Sequence, residues 1–418
     1  MKIITIGLGY IGLPTSLMFA KHGIEVVGVD NNKNIVKLLK AGVAPIEEPH
    51  IEEYLTETLE SGHFTVSESP EAGDVFIIAV PTPNNADEFG SCDLSYIKSA
   101  IEGISPYICK GNTVIIESTI APRTMTDDIQ PLFEALGFSI GEDIYLVHCP
   151  ERVLPGKVFH ELVHNNRIIG GITEKCTQKA VEIYKLFVQG QLIETDACTA
   201  AMSKLMENTY RDVNISLANE LVQICAKLNL DALKIIDMAN LHPRVNLHKP
   251  GPGVGGHCLA VDPYFIVATA PEESKLIQQA RQINNQMPHF VVAHTMNILH
   301  SHKSQTVTVL GLSYKGNIDD IRESPAIEIT DQLRQKPGIE VRTFDPYVPS
   351  SSAASLEEAL QDSELLLVLC DHDVFKKLPI ETINLMKKKV VFDTKDVVQK
   401  DGFDNYYSLG NLNTCSDK

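Results

Sequence analysis

The 418-residue sequence is poor in basic residues relative to acidic ones, and it lacks long apolar runs. Its 36 Lys and Arg residues are outnumbered by 54 Asp and Glu residues, which gives a formal net charge of −18. This balance argues against nucleic acid or an anionic membrane surface as the main partner. Because no apolar run reaches about 18 residues, we expect no membrane-spanning helix and no membrane partner.

The nine cysteines include no C-x-x-C pair and are scattered along the chain. An odd number of dispersed cysteines is typical of reduced thiols, and it argues against a disulfide framework or a zinc cage. The sequence therefore predicts a cytoplasmic protein without a bound metal.

The N-terminus carries the pattern of a dinucleotide-binding unit. Its parts are the strand Lys2–Ile6, the glycines Gly7, Gly9 and Gly12, a helical run to Lys21, the strand Glu25–Val29, and Asp30. The first glycine makes the turn, the second lets a pyrophosphate approach the backbone, and the third lets helix and strand pack. Asp30 would bind the adenosine ribose and repel a 2′-phosphate, which favours NAD over NADP. The alternative is a glycine turn that binds no nucleotide.

Further strands are predicted at Asp74–Val80, Thr113–Glu117 and Ile144–His148, alternating with helical stretches near 94–108 and 124–136. Alternating βαβ units predict a parallel, doubly wound sheet, whose ligands lie beyond the carboxyl ends of the strands. The candidates at those ends are Thr82, Ser118, Thr119, Glu151 and Arg152. The last two could also simply cap a strand end. Cys149 is a weaker candidate nucleophile, since it ends an apolar strand with no glycine beside it.

A long helix is predicted over about Thr199–Leu228, which contains no Pro or Gly. This length is typical of a connecting spine or a dimer contact. Lys204, Asn208 and Arg211 share one of its faces, and no acid lies among these hydrogen-bond donors. They either face an anion or carbonyl group, or form an ordinary solvated face.

The stretch Pro250–Pro263 is too rich in Gly and Pro for a regular helix or strand. Gly255 and Gly256 precede Cys258 and would let a substrate approach it closely, and Asp262 follows. A thiol on such a loop with a carboxylate nearby suits covalent catalysis at a carbonyl carbon. The alternatives are an inert buried cysteine and a metal site with His257, for which the adjacent ligands make a poor cage.

The C-terminal third repeats the N-terminal pattern in weakened form. After a helix near Glu273–His300, the strand Thr306–Leu310 leads into Gly311, Ser313 and Gly316, where Ser replaces the middle glycine. Further strands are predicted at Glu340–Phe344, which ends on Asp345, at Leu365–Leu369 and at Val390–Phe392. A second doubly wound domain follows, which could bind a different nucleotide. Lys315 and Arg322 could also be plain surface charges. Residues after Asp404 are expected to be disordered.

The predicted fold class is α/β, with two doubly wound Rossmann-like domains joined by a long central helix and a small all-α domain. The predicted boundaries are 1–197 for NAD binding, 198–300 for the helical part with the cysteine loop, and 301–418 for the second nucleotide-binding domain. At roughly 150 residues per domain, two or three domains suit this length.

From residue 1 to about 400, the chain resembles the UDP-glucose/GDP-mannose dehydrogenase family. The resemblance is carried by CPERVLPGK at Cys149–Lys157, HPRVN at His242–Asn246 and GPGVGGHC at Gly251–Cys258. Within that family, these stretches and Ala260 resemble the members that act on UDP-N-acetyl-D-mannosamine. The members acting on UDP-N-acetylglucosamine or UDP-glucose are the alternatives, and the family also implies a homodimer.

The resemblance implies a role for each matching residue. Contacts to NAD are implied for Tyr10, Ile11, Asp30, Thr82, Thr119 and Arg322. Contacts to the nucleotide sugar are implied for Arg152, Val153, Lys204, Asn208, Arg211, His242, Arg244, Gly255, Tyr314 and Lys315. Cys258 would be the nucleophile and Lys204 the proton donor and acceptor, with Asn208 in the catalytic set and Asp262, Glu151 and Thr119 ordering water. Arg123 departs from the family, whose UDP-glucose members typically have Gly there.

The implied reaction is a four-electron oxidation of the sugar C6 hydroxyl to a carboxylate, with two NAD consumed. Two other classes of function compete with it. A two-electron alcohol dehydrogenase would need no cysteine and would release one NADH per substrate. A non-catalytic nucleotide-sugar sensor would bind without turnover, and the presence of Cys258, Lys204 and Asp262 together argues against it.

Overall fold

The computed structural model describes residues 1–154 and 156–412. The chain divides into two compact units. The first comprises Met1–Glu207 and Tyr264–Pro271, and the second comprises Asn208–Pro263 and the described residues from Glu272 onward. The three-domain division stays a prediction. No helix in the described part of the chain is long and apolar enough to cross a membrane.

The first unit is built on an eight-stranded sheet in the order β3-β2-β1-β4-β5-β6-β7-β8. Its strands are β1 (Lys2–Ile6), β2 (Glu25–Val29), β3 (Phe64–Ser67), β4 (Val75–Ile78), β5 (Thr113–Ile116), β6 (Tyr145–His148), β7 (Arg167–Gly171) and β8 (Leu192–Asp196). Neighbouring strands are parallel except β6 and β7, which pair antiparallel. The first six strands therefore follow the doubly wound order, and β7 and β8 extend it.

Helices cover both faces of this sheet. They are α1 (Gly12–Lys21), α2 (Lys33–Lys40), α3 (Ile51–Glu60), α4 (Ser95–Ile104), α5 (Gln130–Ala135), α6 (Val158–His164) and α7 (Glu174–Tyr184). A 3₁₀ turn at Ser105–Tyr107 follows α4, and a π-helical turn at Met125–Ile129 precedes α5. One apolar cluster includes Ile3 of β1 with Phe19 of α1, and another includes Ile4 of β1 with Ile97 of α4. Alternate side chains of one strand thus fill two separate layers.

The long helix α8 (Ala197–Leu228) begins in the first unit and ends in the second. Asp196 caps it by accepting hydrogen bonds from the Thr199 backbone N–H at 2.9 Å and the Thr199 hydroxyl at 2.6 Å. The predicted long central helix is confirmed, and its start lies two residues earlier than expected because this cap was not recognised.

The second unit holds a five-stranded parallel sheet in the order β10-β9-β11-β12-β13. The strands are β9 (Thr306–Leu310), β10 (Glu340–Phe344), β11 (Leu365–Val368), β12 (Val390–Asp393) and β13 (Asn405–Ser408). The helices are α9 (Ala232–Ala239), α10 (Asp262–Thr269, which runs into the first unit), α11 (Lys275–Ser301), α12 (Pro325–Arg334), α13 (Leu356–Leu360) and α14 (Ile380–Ile383). The predicted fold class is confirmed.

Some elements differ from the prediction. The expected disorder after Asp404 is wrong for Asn405–Ser408, which forms a strand that pairs with β12. Residues 413–418 of that stretch lie outside the described residues. β3, β7, β8 and β13 were not predicted. None of them is an unbroken apolar run, so their strand conformation comes from pairing with a neighbour.

Candidate active site

The three N-terminal glycines have different structural reasons to be glycine. Gly7 has a φ of +94°, and a Cβ there would lie 2.5 Å from the Ala79 carbonyl oxygen. A Cβ on Gly12 would lie 1.9 Å from the Gly7 carbonyl oxygen. By contrast, nothing lies within 4 Å of a Cβ built on Gly9. Gly7 and Gly12 are thus required by the turn itself, whereas Gly9 leaves open backbone where a pyrophosphate can approach.

Asp30 is held beside this glycine turn at the end of β2. Its Oδ2 accepts a hydrogen bond from the Leu8 backbone N–H at 3.0 Å, and its Oδ1 accepts one from Asn32 N–H at 2.8 Å. Asp30 and Ile11 are both half-buried, and Tyr10 is exposed. An open backbone next to a braced acid fits the diphosphate and ribose of NAD.

Ser118, in the loop after β5, hydrogen-bonds to Val80 in the loop after β4. Its hydroxyl accepts a hydrogen bond from Val80 N–H at 2.9 Å and donates to the Val80 carbonyl at 2.7 Å. Thr82 lies two residues after Val80, and Thr119 directly follows Ser118; both threonines are half-buried. The two threonines predicted to contact NAD therefore lie at the carboxyl edge of the sheet.

Arg123 adopts a left-handed conformation with a φ of +72°. This conformation is one that glycine adopts without cost and that a non-glycine residue rarely adopts. The Arg123 guanidinium pairs with Asp127 at 2.7 and 2.8 Å, one helical turn away.

Glu151 and Arg152 follow β6 and contact each other. Glu151 Oε1 accepts a hydrogen bond from the Arg152 backbone N–H at 2.6 Å, and the Arg152 Nε donates to Glu207 at 2.9 Å. Val153, beside them, is half-buried against the apolar core. Cys149 is fully buried, and this burial raises the pKa of its thiol to about 11. A buried thiol that resists ionisation supports ranking Cys149 below Cys258 as a nucleophile.

Lys204 is buried in the first turns of α8, unlike an ordinary surface lysine. Burial lowers the pKa of the neighbouring His148 to about 4, and the charge of Lys204 contributes to this shift. The solvated-face alternative is therefore wrong for Lys204. Asn208 is half-buried, and Arg211 is exposed.

In the second unit, Cys258 precedes the N-terminus of α10 and is half-buried. The Cys258 carbonyl accepts hydrogen bonds from Val261 N–H at 3.1 Å and Asp262 N–H at 2.9 Å. Asp262 is buried, and its Oδ2 accepts a hydrogen bond from Asn208 Nδ2 at 2.6 Å. Three of the predicted catalytic residues are thus linked through one short turn.

The glycines before Cys258 are packed against protein atoms. A Cβ on Gly256 would lie 2.8 Å from the Tyr314 ring, and one on Gly255 would lie 2.4 Å from the Glu323 carbonyl oxygen. Gly256 N–H also donates to the Arg322 carbonyl at 3.1 Å. The space that the sequence predicts for the substrate is thus occupied by Tyr314 and by the backbone of Glu323.

The remaining predicted sugar contacts lie on exposed loops of the second unit. His242 and Arg244 are exposed, and their loop is held to α8 because Asn214 bonds both Asn246 and His248. Lys315 is exposed, while Arg322 pairs with Asp320. No group of three or more His, Cys, Asp or Glu side chains in residues 1–154 and 156–412 is arranged to hold a metal.

The glycine turn after β9 differs from the N-terminal one in how its acidic residue, Asp345, is bonded. Asp345 Oδ2 accepts hydrogen bonds from Leu312 N–H at 2.7 Å and Ser313 N–H at 3.2 Å, and it contacts His372 Nε2 at 3.0 Å. Its side chain is completely enclosed. Because the loop and His372 occupy this carboxylate, it is not available to a ribose as Asp30 is.

Three family models match the chain. The NAD binding domain of the UDP-glucose/GDP-mannose dehydrogenase family matches residues 1–188, its central domain 198–286, and its UDP binding domain 308–400. The chain belongs to the UDP-glucose/GDP-mannose dehydrogenase family.

Similar members of this family come from bacteria and archaea. The solved UDP-N-acetyl-mannosamine dehydrogenase of Staphylococcus aureus is 56% identical, covers 100% of both chains and has a TM-score of 0.93. A UDP-N-acetyl-D-mannosamine dehydrogenase of Methanococcus maripaludis is 45% identical over 95% of this chain and 93% of its own. An NDP-N-acetyl-D-galactosaminuronic acid dehydrogenase of Ralstonia nicotianae is 43% identical over 94% of this chain and 95% of its own.

As a member of the UDP-glucose/GDP-mannose dehydrogenase family, the protein is an NAD-dependent UDP-sugar dehydrogenase. The predictions of the family, the enzyme class and the NAD cofactor are confirmed. The roles of the individual site residues stay predictions.

Sequence reasoning missed a buried polar network behind the cysteine loop of this dehydrogenase. Arg281 Nη1 donates to Asp212 Oδ1 at 2.6 Å, and Asn284 donates to the same oxygen at 2.8 Å. Asn219 Nδ2 donates to Asn284 at 2.9 Å, and Asn219 Oδ1 accepts the Gly251 N–H at 2.9 Å. Asp212 and Asn219 are seven residues apart on α8 among apolar positions, and that spacing was the available signal.

Proposed function

We propose that this enzyme oxidises the C6 hydroxyl of UDP-N-acetyl-D-mannosamine to a carboxylate and reduces two NAD per sugar. The names of the Staphylococcus and Methanococcus relatives support this substrate. The product would be a precursor of a capsular or other surface polysaccharide. UDP-N-acetylglucosamine and UDP-glucose are the alternative substrates, and the Ralstonia relative is named for an N-acetylgalactosamine-derived product.

The observation that carries the proposal is the link between Cys258, Asp262 and Asn208. The turn that presents the thiol is closed by the Asp262 N–H, and the Asp262 carboxylate is fixed by Asn208 at 2.6 Å. A positioned, partly exposed thiol next to a held carboxylate suits a nucleophile that forms and releases an acyl group. A two-electron alcohol dehydrogenase would not need the cysteine.

In the first oxidation, Lys204 accepts the proton of the C6 hydroxyl as the carbonyl forms. Bound in the first unit beside Gly9 and Asp30, NAD would supply the hydride acceptor for both oxidations of C6. Cys258 sulfur then bonds to the aldehyde carbon, and the thiol proton ends on the former carbonyl oxygen to give a thiohemiacetal. Lys204, as a cation in a buried site, stabilises the oxyanion of this step, an effect worth roughly 3–4 kcal/mol or about 10² to 10³ in rate.

In the second oxidation the thiohemiacetal loses a hydride from carbon and a proton from oxygen, which leaves a thioester on Cys258. Water then adds to the thioester carbon, the C–S bond breaks, and sulfur leaves as thiolate. Asp262, Glu151 and Thr119 order this water. Cysteine is required because a free aldehyde must become a species that can lose a second hydride.

The other predicted contacts divide between cofactor and sugar. Tyr10, Ile11, Asp30, Thr82, Thr119 and Arg322 would contact NAD. Arg152, Val153, Lys204, Asn208, Arg211, His242, Arg244, Gly255, Tyr314 and Lys315 would contact the UDP-sugar. The exposed cations among them, such as Arg211 and Arg244, suit the diphosphate of an anionic substrate.

The proposed assembly is a homodimer formed through α8. Exposed apolar residues recur along one face of this helix. They are Met202, Met206, Tyr210, Leu217, Ile224 and Leu228. A contiguous apolar face of this length supports burial against a second copy. A cytoplasmic location is supported by the nine scattered cysteines, which include no C-x-x-C pair.

Replacing the proposed nucleophile tests the mechanism. Cys258→Ser is expected to lose uronic acid formation, whereas Cys109→Ser, an exposed cysteine elsewhere, should behave as wild type. Acid product would be followed by chromatography with the mannosamine, glucosamine and glucose sugars. Acid formation by Cys258→Ser at the wild-type rate would contradict the mechanism, and activity with another sugar alone would contradict the substrate.

A further inference from the structure

A buried ionic cluster lies behind Glu151 in the first unit. Arg167, on the antiparallel strand β7, donates from Nη2 to Glu117 Oε1 at 2.7 Å and to Glu151 Oε2 at 2.8 Å. Its Nε donates to Cys149 Sγ at 3.0 Å, and its guanidinium carbon lies 4.3 Å from the centre of the Tyr184 ring. One cation is therefore shared by two carboxylates away from bulk water.

The two carboxylates differ in their surroundings. The Glu117 side chain has no exposed surface, whereas that of Glu151 is 8% exposed and lies at the carboxyl edge of the sheet. Glu117 Oε1 accepts hydrogen bonds from Arg167 and from the Tyr184 hydroxyl at 2.6 Å. Within the described part of the chain, its Oε2 is buried without a hydrogen-bond partner. An ionised carboxylate would leave that oxygen desolvated and unpaired, which costs far more than burying a neutral acid.

The other groups around Glu117 supply no second positive charge. Burial raises the pKa of Tyr184, and it raises the pKa of Cys149 to about 11, so both stay neutral. Thr15 of α1 is the remaining polar neighbour; its hydroxyl is uncharged, although it acts to lower the pKa of Glu117 as Arg167 and Tyr184 do. Burial likewise raises the pKa of Glu117, against the opposing charge of Arg167. With two ionised carboxylates, this enclosed cluster would carry a net negative charge.

We propose that Arg167 positions the Glu151 carboxylate, and that Glu117 beside it is protonated and uncharged, which leaves Glu151 as the sole anionic partner of Arg167. Both Glu151 oxygens are then fixed, since Oε1 accepts the Arg152 N–H and Oε2 the Arg167 guanidinium. Arg167 is a positioning residue, and Glu117 serves as a neutral hydrogen-bond acceptor that holds the guanidinium. The inference rests on the proposed function, which assigns Glu151 to hydrolysis of the Cys258 thioester.

The affected step is the attack of water on that thioester. As the water oxygen bonds to the carbonyl carbon, the Glu151 carboxylate accepts a water proton, the C–S bond breaks, and the Cys258 sulfur leaves as thiolate. No redox change occurs in this step. A Glu151 carboxylate that is turned away would slow hydrolysis while both hydride transfers proceed.

Three variants test this assignment: Glu117→Gln, Glu151→Gln and Arg167→Lys. Rapid mixing with NAD and UDP-sugar would be followed by NADH absorbance and by the intact mass of the enzyme. Glu117→Gln replaces a neutral acid with a neutral amide of the same shape, so hydrolysis should stay within about twofold of wild type. Glu151→Gln, which removes the group that accepts the water proton, and Arg167→Lys, which misplaces it, should each slow hydrolysis by about 10²-fold. In both, two NADH should form rapidly per active site while the acyl-enzyme accumulates on Cys258.

Contrary outcomes separate this inference from the mechanism itself. Glu117→Gln slowing hydrolysis as much as Glu151→Gln would overturn the neutral state of Glu117. Arg167→Lys releasing acid at the wild-type rate would overturn its positioning role. If Arg167→Lys does not fold, comparing Glu117→Gln with Glu151→Gln still decides whether Glu117 is neutral. Acid formation by Cys258→Ser would instead overturn the proposed function. A purely structural role of the cluster predicts lower thermal stability in all variants and no accumulated acyl-enzyme.

Discussion

Asn208 Nδ2 donates a hydrogen bond to Asp262 Oδ2 across 2.6 Å. The pair joins α8 to the turn that presents Cys258, although the two residues are 54 positions apart in the chain. This hydrogen bond fixes the orientation of the Asp262 carboxyl group.

Replacing this amide with an acid should impair catalysis in a pH-dependent way. Asn208→Asp places two carboxyl groups in contact, and their repulsion raises the pKa of one of them. We expect kcat about 10²-fold below wild type at high pH, with partial recovery as pH falls and the protonated acid can donate again. The kcat against pH profile would be measured beside Gln223→Glu, the same exchange elsewhere on α8. Parallel profiles for Asn208→Asp and wild type would contradict the role of this hydrogen bond.

The glycine turn allows cofactor binding and folding to be separated. Gly9→Ala adds a Cβ where nothing lies within 4 Å, so the melting temperature should hold while NAD binding weakens about tenfold or more, or about 1.4 kcal/mol. Gly12→Ala adds a Cβ that would lie 1.9 Å from the Gly7 carbonyl oxygen, so this variant should destabilise the first unit. Calorimetry and NAD titration would measure both. Undiminished NAD binding by Gly9→Ala would contradict the placement of the pyrophosphate.

His148 should make the protein sensitive to mild acid. Burial first, and then Lys204, lower its pKa from 6.5 to about 4, so the folded state keeps it neutral. Its stabilising contribution is therefore present above about pH 6.5 and is lost as pH falls toward about 4, by up to roughly 3 kcal/mol.

His148→Asn tests this, since the Asn amide can still donate to the Ile116 carbonyl as His148 Nδ1 does at 2.9 Å. Urea unfolding at pH 7, 6 and 5 should show a shallower loss of stability in the variant than in wild type. His160→Asn, at an exposed position, is the control and should follow wild type. Parallel curves for His148→Asn and wild type would count against the buried neutral state.

The exposed face of α8 predicts which substitutions dissociate the enzyme. Leu217 is 51% exposed in the single chain, and a charge there would be buried unpaired in the proposed dimer. Leu217→Glu should therefore give monomers in light-scattering chromatography. Leu276→Glu is the matched control, because Leu276 is 71% exposed on α11, and it should leave the assembly intact. A wild-type protein that is monomeric would contradict the proposed assembly.

Much of the fold could be read from local pattern. The strands Lys2–Ile6, Glu25–Val29 and Thr306–Leu310 have the predicted bounds, because apolar β-branched runs bounded by turns specify buried parallel strands. Glu340–Phe344 also has the predicted bounds, although it is only partly buried. β13 was missed because Asn405–Ser408 has no such run and depends on pairing with β12.

The candidate site was harder to read where contacts join distant residues. The resemblance singled out Cys258, Lys204 and Asp262, but nothing local connects Arg167 to Glu117 across 50 positions or Arg281 to Asp212 across 69. The enclosure of Asp345 by His372 also depends on tertiary packing. Polar residues at buried positions are recognisable only once burial itself is known.

The central claim is a four-electron oxidation through Cys258, and NADH yield per sugar tests it most directly. The enzyme would be given a limiting, known amount of UDP-N-acetyl-D-mannosamine with excess NAD, and NADH would be measured at completion. The account predicts two NADH for each sugar consumed, with the uronic acid as product. One NADH per sugar, with an aldehyde or ketone as product, would contradict it and remove Cys258 from the chemistry.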